Sequence, residues 1–81
     1  MKNISIYDNG GKTIDRITVI FNDRKRVTKD GVLYECIAAS ETGSGFYQHS
    51  EAMKGKHLGN KIDFSKLSLP LQNKLLIELN K

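Results

Sequence analysis

The sequence has very little of what defines secreted and membrane proteins. It contains a single cysteine, Cys36, which excludes an intrachain disulfide framework and fits a reducing compartment. No apolar run approaches the length of about 18 residues that a membrane-spanning helix needs. The opening residues 1–5 are not followed by the apolar stretch of a signal peptide. We therefore expect a cytoplasmic protein that has no membrane partner.

What the chain does contain is enough for one small globular domain. It has 81 residues and a mass of 9.1 kDa. Hydrophobic residues make up 38% and charged residues 27%, a balance typical of folded rather than disordered chains. A chain of this mass buries about 63% of its surface on folding. We expect a single domain over residues 1–81 with one thin core.

The first half of the chain has the pattern of an antiparallel meander. Apolar alternation and β-branched residues predict three strands, at residues 3–8, 13–21 and 32–39. The second of these is apolar on both faces, which favours the central position. Gly10 and Gly11 predict a turn, and Asp30-Gly31 predicts a hairpin, with 22–26 as a loop or bulge between them.

The second half predicts one helix. Residues 40–45 are too rich in Gly and Ser for regular structure, 46–53 have the pattern of a short helix or turn, and 61–64 of a short strand. Ser68 can cap a C-terminal helix with Pro70 in its first turn. Its apolar stripe is Leu71, Leu75, Leu76 and Leu79. The expected fold is α+β, a three- to four-stranded antiparallel sheet with this main helix packed on one face.

The first polar cluster surrounds the predicted glycine turn. Asp8, Asn9, Asp15 and Arg16 offer two carboxylates, an amide and a guanidinium that could bind a polar ligand. The alternative is that Asp8 and Asn9 make ordinary turn contacts and Asp15 pairs with a neighbouring cation. Asp15 and Arg16 point to opposite faces if both lie on a strand, which disfavours one shared site.

A second candidate site follows the loop at residues 43–45. Backbone amides of a glycine-rich loop can hold phosphate, although the dinucleotide fingerprint and the P-loop are both absent. The residues that follow suit stacking on a planar ring and hydrogen bonding to it. The alternative is that Phe46 anchors the core and Tyr47 is half-buried. The candidate ligand residues here are Gly45, Phe46, Tyr47, Gln48 and His49.

Metal binding and catalysis find little support. Cys36, His49 and His57 are too few and too irregularly spaced for a zinc site, so we expect no metal and no cofactor. Nothing near Cys36 in the sequence would activate its thiol. A small nuclease or phosphodiesterase that uses the two histidines and nearby carboxylates is the enzymatic alternative, and we expect no catalytic residues.

Positive charge is concentrated at the two ends of the chain. The net charge is +4, yet residues 32–52 contain no lysine or arginine. The basic flanks could meet as a patch that follows a phosphate backbone, although no helix-turn-helix, zinc-finger or RNA-binding aromatic motif is present. The candidate nucleic-acid residues are Arg24, Lys25, Arg26, Lys54, Lys56 and Lys61.

Residues 7–19, YDNGGKTIDRITV, resemble the "YDNGG-x-T-x-DRYTV" opening of a family of small uncharacterised proteins from bacteriophages and mobile elements. Residues 45–48, 57–61 and 64–70 resemble that family's "GF-x-Q", "HLGK" and "LSDLP" segments. The resemblance spans most of the chain. Ile17 replaces an aromatic residue, Lys66 replaces an acid, and relatives usually lack the insertion at 24–29.

The resemblance implies a phage or mobile-element context, hence a host cytoplasm, and brings no established activity. It directs attention to the motif residues Asp8, Asn9, Asp15, Arg16, Gly45, Phe46, Gln48 and His57. By analogy with other small phage proteins, the leading hypothesis is a non-enzymatic binder that counters host defence. It would sequester a nucleotide-like signal or occlude a host defence protein. A nucleic-acid or nucleoprotein-binding accessory protein is the alternative, and a homo-oligomer is expected from the sheet edges that one thin core leaves uncovered.

Overall fold

A computed structural model describes residues 3–81. Met1 and Lys2, at the start of the segment where we expect no signal peptide, lie outside the described residues. Five strands form one antiparallel sheet and are followed by one α-helix. The strands are β1 (Ile4–Asp8), β2 (Ile17–Thr28), β3 (Gly31–Ala39), β4 (Tyr47–Ala52) and β5 (Asn60–Ile62). The helix α1 spans Leu69–Leu79, and short 3-10 turns lie at Lys56–Leu58 and Phe64–Lys66.

The order of strands across the sheet is β4-β3-β2-β1-β5, and every neighbouring pair is antiparallel. The α+β class with a C-terminal helix is confirmed. The expected count of three to four strands is wrong, because β4 occupies the segment predicted as a helix or turn. Residues 47–52 have weak intrinsic strand preference, and pairing with β3 over six residues supplies the stabilisation that the local sequence lacks.

The long β2 strand differs from its expected bounds in two ways. It begins at Ile17 rather than at residue 13, because Asp8 already pairs with Ile17 and residues 9–16 form the connecting loop. It also continues through residues 22–26, where the register against β3 shifts between Ile20 and Lys25. This irregularity is the bulge alternative of the prediction. β2 is the central strand, as its two apolar faces indicate.

Alternation along the strands gives the sheet two different faces. The helix face is covered by α1 and contains the buried cluster, whereas the open face lies opposite. Ile20 and Cys36, which pair directly, are buried on the open face. The buried cluster of the helix face comprises Ile6, Ile17, Val19, Phe21, Ile37, Ala39, Leu67, Leu71 and Leu75.

The helix begins and packs largely as its sequence predicts. The Ser68 side chain accepts a hydrogen bond from the Leu71 N–H, which satisfies one of the free donors of the first turn. Leu71 and Leu75 are fully buried. Leu76, assigned to the same stripe, is instead 39% exposed, because it lies about 100° around the helix from Leu75. No helix in residues 3–81 has the length and apolarity needed to cross a membrane.

Candidate functional site

Asp8 and Arg16 form a two-point ion pair at the end of β1. Arg16 Nε donates to Asp8 Oδ1 at 2.8 Å, and Nη2 donates to Oδ2 at 3.1 Å. The Arg16 hydrogen bond holds the pKa of Asp8 below its usual value. The loop between them folds back so that the Asn9 N–H donates to the Arg16 carbonyl. Asp8 and Arg16, both predicted as ligand residues, therefore bind mainly to each other.

Asn9 and Asp15 are used by the loop itself. Asn9 Oδ1 accepts from the N–H groups of Gly11 and Lys12, and Asn9 Nδ2 donates to Thr13 Oγ1. Thr13 Oγ1 in turn donates to Asp15 Oδ1. These contacts match the turn alternative for Asn9. Asp15 bonds to Thr13 within the loop, where it was expected either to join a ligand or to pair with a cation.

Three segments far apart in the sequence meet at this end of the sheet. Gly59 packs against the backbone of Asp8 and Asn9, and Ser68 Oγ donates to the Glu41 carbonyl at 2.7 Å. A cavity of about 190 Å³ opens between them. It is smaller than the range of about 300–1,000 Å³ typical of ligand pockets. Its lining residues are Asp8, Arg16, Ile17, Glu41, Ile62, Lys66, Leu67 and Ser68.

The aromatic candidates lie away from this cavity. Tyr47 is in the same row across the sheet as Asp8, but the two are separated by three strand spacings, about 14 Å. Tyr47 packs against the buried cluster, and Lys74 Nζ lies 5.2 Å from its ring centre. Burial raises the pKa of the Tyr47 hydroxyl. The core alternative describes Tyr47 better than the stacking role does.

The remaining loop candidates also lie apart. His49 Nε2 lies 3.1 Å from Glu78 Oε1 on the helix face, whereas Gln48 is exposed on the open face. The backbone N–H groups of Gly45 and Phe46 both donate to Ser40 Oγ, which fixes the loop. Neither these residues nor His57, which is exposed in the first 3-10 turn, line the cavity beside Asp8. The predicted ligand residues therefore do not form one site.

The two arginines of the predicted basic patch are bound to carboxylates. Arg26 makes a two-point pair with Glu51, at 2.9 and 3.0 Å. Arg24 lies 3.7 Å from a Glu35 oxygen and stacks on the Phe21 ring at 4.4 Å. The guanidiniums thus help to hold the sheet together, which reduces what they can offer to a phosphate.

The lysines of that patch, unlike the arginines, lie mostly beside tyrosines rather than carboxylates. Lys25 and Lys61 lie on the open face, each directly opposite a tyrosine: Lys25 pairs with Tyr34, and Lys61 pairs with Tyr7. Lys54 Nζ lies 4.6 Å from the centre of the Tyr34 ring. Lys56 lies with His57 in the first 3-10 turn.

The acidic side chains of the paired strand residues lie on the helix face, opposite these lysines. Asp8, Glu35 and Glu51 are the acids of the paired strand positions, and by register all three share the helix face. The open face of these ladders therefore has no carboxylate, and it carries lysine, tyrosine and small polar side chains together with apolar ones such as Ile20 and Val27. Sequence reasoning missed Tyr7 and Tyr34. Each tyrosine directly precedes an acid, Tyr7 before Asp8 and Tyr34 before Glu35, and adjacent strand residues point to opposite faces, which is the signal that could have identified them.

Among residues 3–81, no arrangement of side chains supports the catalytic or the metal-binding alternative. Cys36 is buried on the open face, and burial raises the pKa of its thiol. His49 lies on the opposite face, so the two do not form a nucleophile–base pair. Within residues 3–81, no group of three His, Cys, Asp or Glu side chains is arranged to hold a metal ion.

Comparison of the chain with protein-family models, curated proteins and solved structures returned no match.

Proposed function

We propose that this chain is a small non-enzymatic binding protein whose open sheet face binds single-stranded nucleic acid. The observation that carries the proposal is the division of charge between the two faces of the sheet. The acids of the paired strand residues share the helix face, and two of them are occupied by Arg24 and Arg26. The lysines opposite Tyr7 and Tyr34 share the open face.

A Tyr–Lys pair has the two properties that a nucleotide needs from a binding surface. The ring stacks on a base of any identity, and the ammonium meets the neighbouring phosphate. This arrangement occurs twice, and both tyrosines are half-buried. Lys54 Nζ lies over one face of the Tyr34 ring, so a base would stack there on the other face or in place of that ammonium. Sheet geometry puts the two pairs about 16 Å apart, and the row of the sheet between them carries the buried Ser5, Ile20 and Cys36.

Single strands fit this face better than duplexes. Tyrosine rings on a sheet face stack on unstacked bases, which a duplex does not present. The basic flanks predicted from the sequence support the proposal through Lys25, Lys54 and Lys61, while the arginines support the sheet. Binding without strong base preference is expected, because stacking and phosphate contacts carry little sequence information.

Fluorescence anisotropy with labelled oligothymidine and oligouridine tests the proposal. We expect binding that weakens steeply between about 50 and 200 mM salt. Tyr34→Leu should lower affinity by about 5- to 150-fold, the cost of about 1–3 kcal/mol for one stacked base. Lys25→Ala should reduce the salt slope by about 0.7.

Lys12→Ala is the matched control, because Lys12 is an exposed lysine in the loop before β2. It removes the same charge and should change affinity little. No binding at low salt, or equal losses for Lys12→Ala and Lys25→Ala, would contradict a defined site on the open face.

We also propose a second candidate, the sequestration of a small polar signal by the cavity beside Asp8 and Arg16. The specific observation is that segments carrying the phage-like motifs converge there, since Gly59 packs on Asp8 and the residues at 66–68 line the cavity. Arg16 Nη1 makes none of the hydrogen bonds to Asp8, so it is the donor available to an anion. In a phage context, such binding would counter host defence.

Isothermal titration against linear and cyclic nucleotides tests this second candidate. Arg16→Lys keeps the charge but loses the two-point geometry, so a bound anion should be held at least about tenfold more weakly. No heat with any nucleotide, together with an unchanged melting temperature, would remove this candidate without affecting the first.

A further inference from the structure

β4, a strand of six residues, is an unprotected edge of the sheet. Among residues 3–81 it pairs with β3 alone, in continuous register from Tyr47–Ala39 to Ala52–Tyr34, and no described strand pairs with its other side. Natural edge strands are commonly protected by lysine, proline, bulges or shortness. The opposite edge follows this rule, because β5 has three residues and contains Lys61. The segment 47–52 has no lysine, arginine or proline.

The backbone of β4 offers its free groups at defined residues. The Phe46 carbonyl accepts from the Ser40 N–H, so the 40–46 pair is hydrogen-bonded. Hydrogen-bonded and non-hydrogen-bonded pairs alternate along an antiparallel ladder. Gln48, Ser50 and Ala52 therefore bond to β3. The N–H and C=O groups of Tyr47, His49 and Glu51 point away from the sheet.

Those outward residues select a partner strand of matching chemistry. His49 and Glu51 are separated by two positions and lie on the helix face. His49 lies beside Glu78 and Glu51 is bound by Arg26, yet their side chains remain 62% and 42% exposed. We propose that β4 pairs antiparallel with β4 of a second copy of this chain, about a two-fold axis at Ser50. His49 then lies opposite Glu51 of the second copy, and the same contact is made twice.

Other registers are less favourable. An axis at His49 would place the two histidines opposite each other, and an axis at Gln48 would leave Glu51 without a facing residue in the strand. The axis at Ser50 joins all outward N–H and C=O groups of His49 and Glu51, and places the His49 imidazole, rather than a second imidazole, opposite the Glu51 carboxylate. On the open face it brings together Ser50 with Ser50, and Gln48 with Ala52, so that each contact across the axis includes at least one small side chain.

The result is one ten-stranded sheet in which both open faces lie on the same side. This pairing rests on the β4 edge and does not depend on what the open face binds. The short strand makes the contact area modest, so association should depend on concentration.

Disulfide trapping tests both the pairing and its register. In a Cys36→Ala background, Ser50→Cys should cross-link to its equivalent under mild oxidation. The two Cα atoms would lie about 4.5 Å apart in a non-hydrogen-bonded pair, which is within disulfide reach. Gln48→Cys is the matched control on the same strand, because its equivalent would lie about 13 Å away along the strands.

We expect Ser50→Cys to form dimers at least about ten times faster than Gln48→Cys, and a mixture of Gln48→Cys with Ala52→Cys to form heterodimers. Equal rates for Ser50→Cys and Gln48→Cys would show random collision and overturn the proposal. Because Ser50 is exposed, circular dichroism should show an unchanged fold for each variant.

Sedimentation equilibrium provides a test without cross-linking. The unmodified chain should dimerise between about 1 μM and 1 mM. Ser50→Lys and Ser50→Glu should each weaken the dimer, because like charges would face each other across the axis, and mixing the two should restore it. A chain that stays monomeric at about 1 mM, or a mixture no more dimeric than its components, would overturn the proposal.

Discussion

Gly59 provides the sharpest test of how the distant segments are joined. Its φ is +104°, outside the range that residues with a side chain readily adopt. A methyl group at this position would overlap the Asp8 carbonyl oxygen and come within 2.6 Å of Asn9 Cα. Both contacts are with backbone, which cannot move aside as a side-chain end can. We predict that Gly59→Ala separates the β5 edge from β1.

The expected loss combines two costs. The positive φ costs about 1–2 kcal/mol for a residue with a Cβ. The overlap with backbone costs about 1–3 kcal/mol more, as for an overpacked core. Their sum of about 2–5 kcal/mol is a large fraction of the stability of about 4–12 kcal/mol expected for a chain of this length. The midpoint of urea unfolding should fall by about 2 M or more if the m-value is near 1 kcal/mol/M.

Gly10→Ala is the matched control. Gly10 has φ of +79°, but an added methyl would have nothing within 4 Å. It should therefore pay only the conformational cost, about 1–2 kcal/mol. Urea unfolding followed by far-ultraviolet circular dichroism measures both variants. Equal losses for Gly59→Ala and Gly10→Ala would refute the close backbone contact as the reason for glycine at position 59.

Three further predictions concern the core, the ion pair and the thiol. Leu75→Ala should lower the free energy of unfolding by about 2–5 kcal/mol, because Leu75 is fully buried. Ile77→Ala, at a side chain 67% exposed, should change it by less than about 0.5 kcal/mol. Similar losses for the two variants in urea unfolding would argue against the packing of α1. Because the Arg16 hydrogen bond lowers the folded-state pKa of Asp8, the stabilisation is present above the unfolded pKa of about 3.9 and is lost as the pH falls through the lower folded value. Thermal unfolding of Asp8→Asn below about pH 4 should thus depend less on pH than that of the parent, and parallel curves would contradict this. Cys36 should react with a thiol reagent at least about tenfold more slowly in the folded chain than in urea, since burial shields the thiol and raises its pKa. Immediate reaction of the folded chain would show that the thiol is accessible.

Local residue patterns were sufficient to predict the elements whose signals lie within their own segment of the chain. The Asp30-Gly31 hairpin and the strands on either side of it are present, and Ser68 caps the helix as expected. It failed at β4, where no residue from 47 to 52 belongs to the strongest strand formers apart from Tyr47. Such a strand forms because β3 offers it a free edge, which a local pattern does not contain.

The candidate site shows the same division. Asp8 and Arg16 were selected from the sequence and do meet, because the loop between them is short and organised by Asn9. Tyr47 was selected for its aromatic ring and the glycine-rich loop before it. Whether a ring serves the core or a ligand depends on which face of the sheet it occupies, and that depends on the register of the pairing.

The sequence by itself determined the class of the fold, the position of the helix and the turns that require glycine, because each follows from contacts between residues close in the chain. It also determined that basic residues are absent from the middle of the chain. Only the tertiary structure decided how charge divides between the faces. Lys25 and Lys61 are 36 positions apart in the chain. They share the open face because strand pairing sets one register for the whole sheet, while the same register directs Glu35 and Glu51 to the helix face.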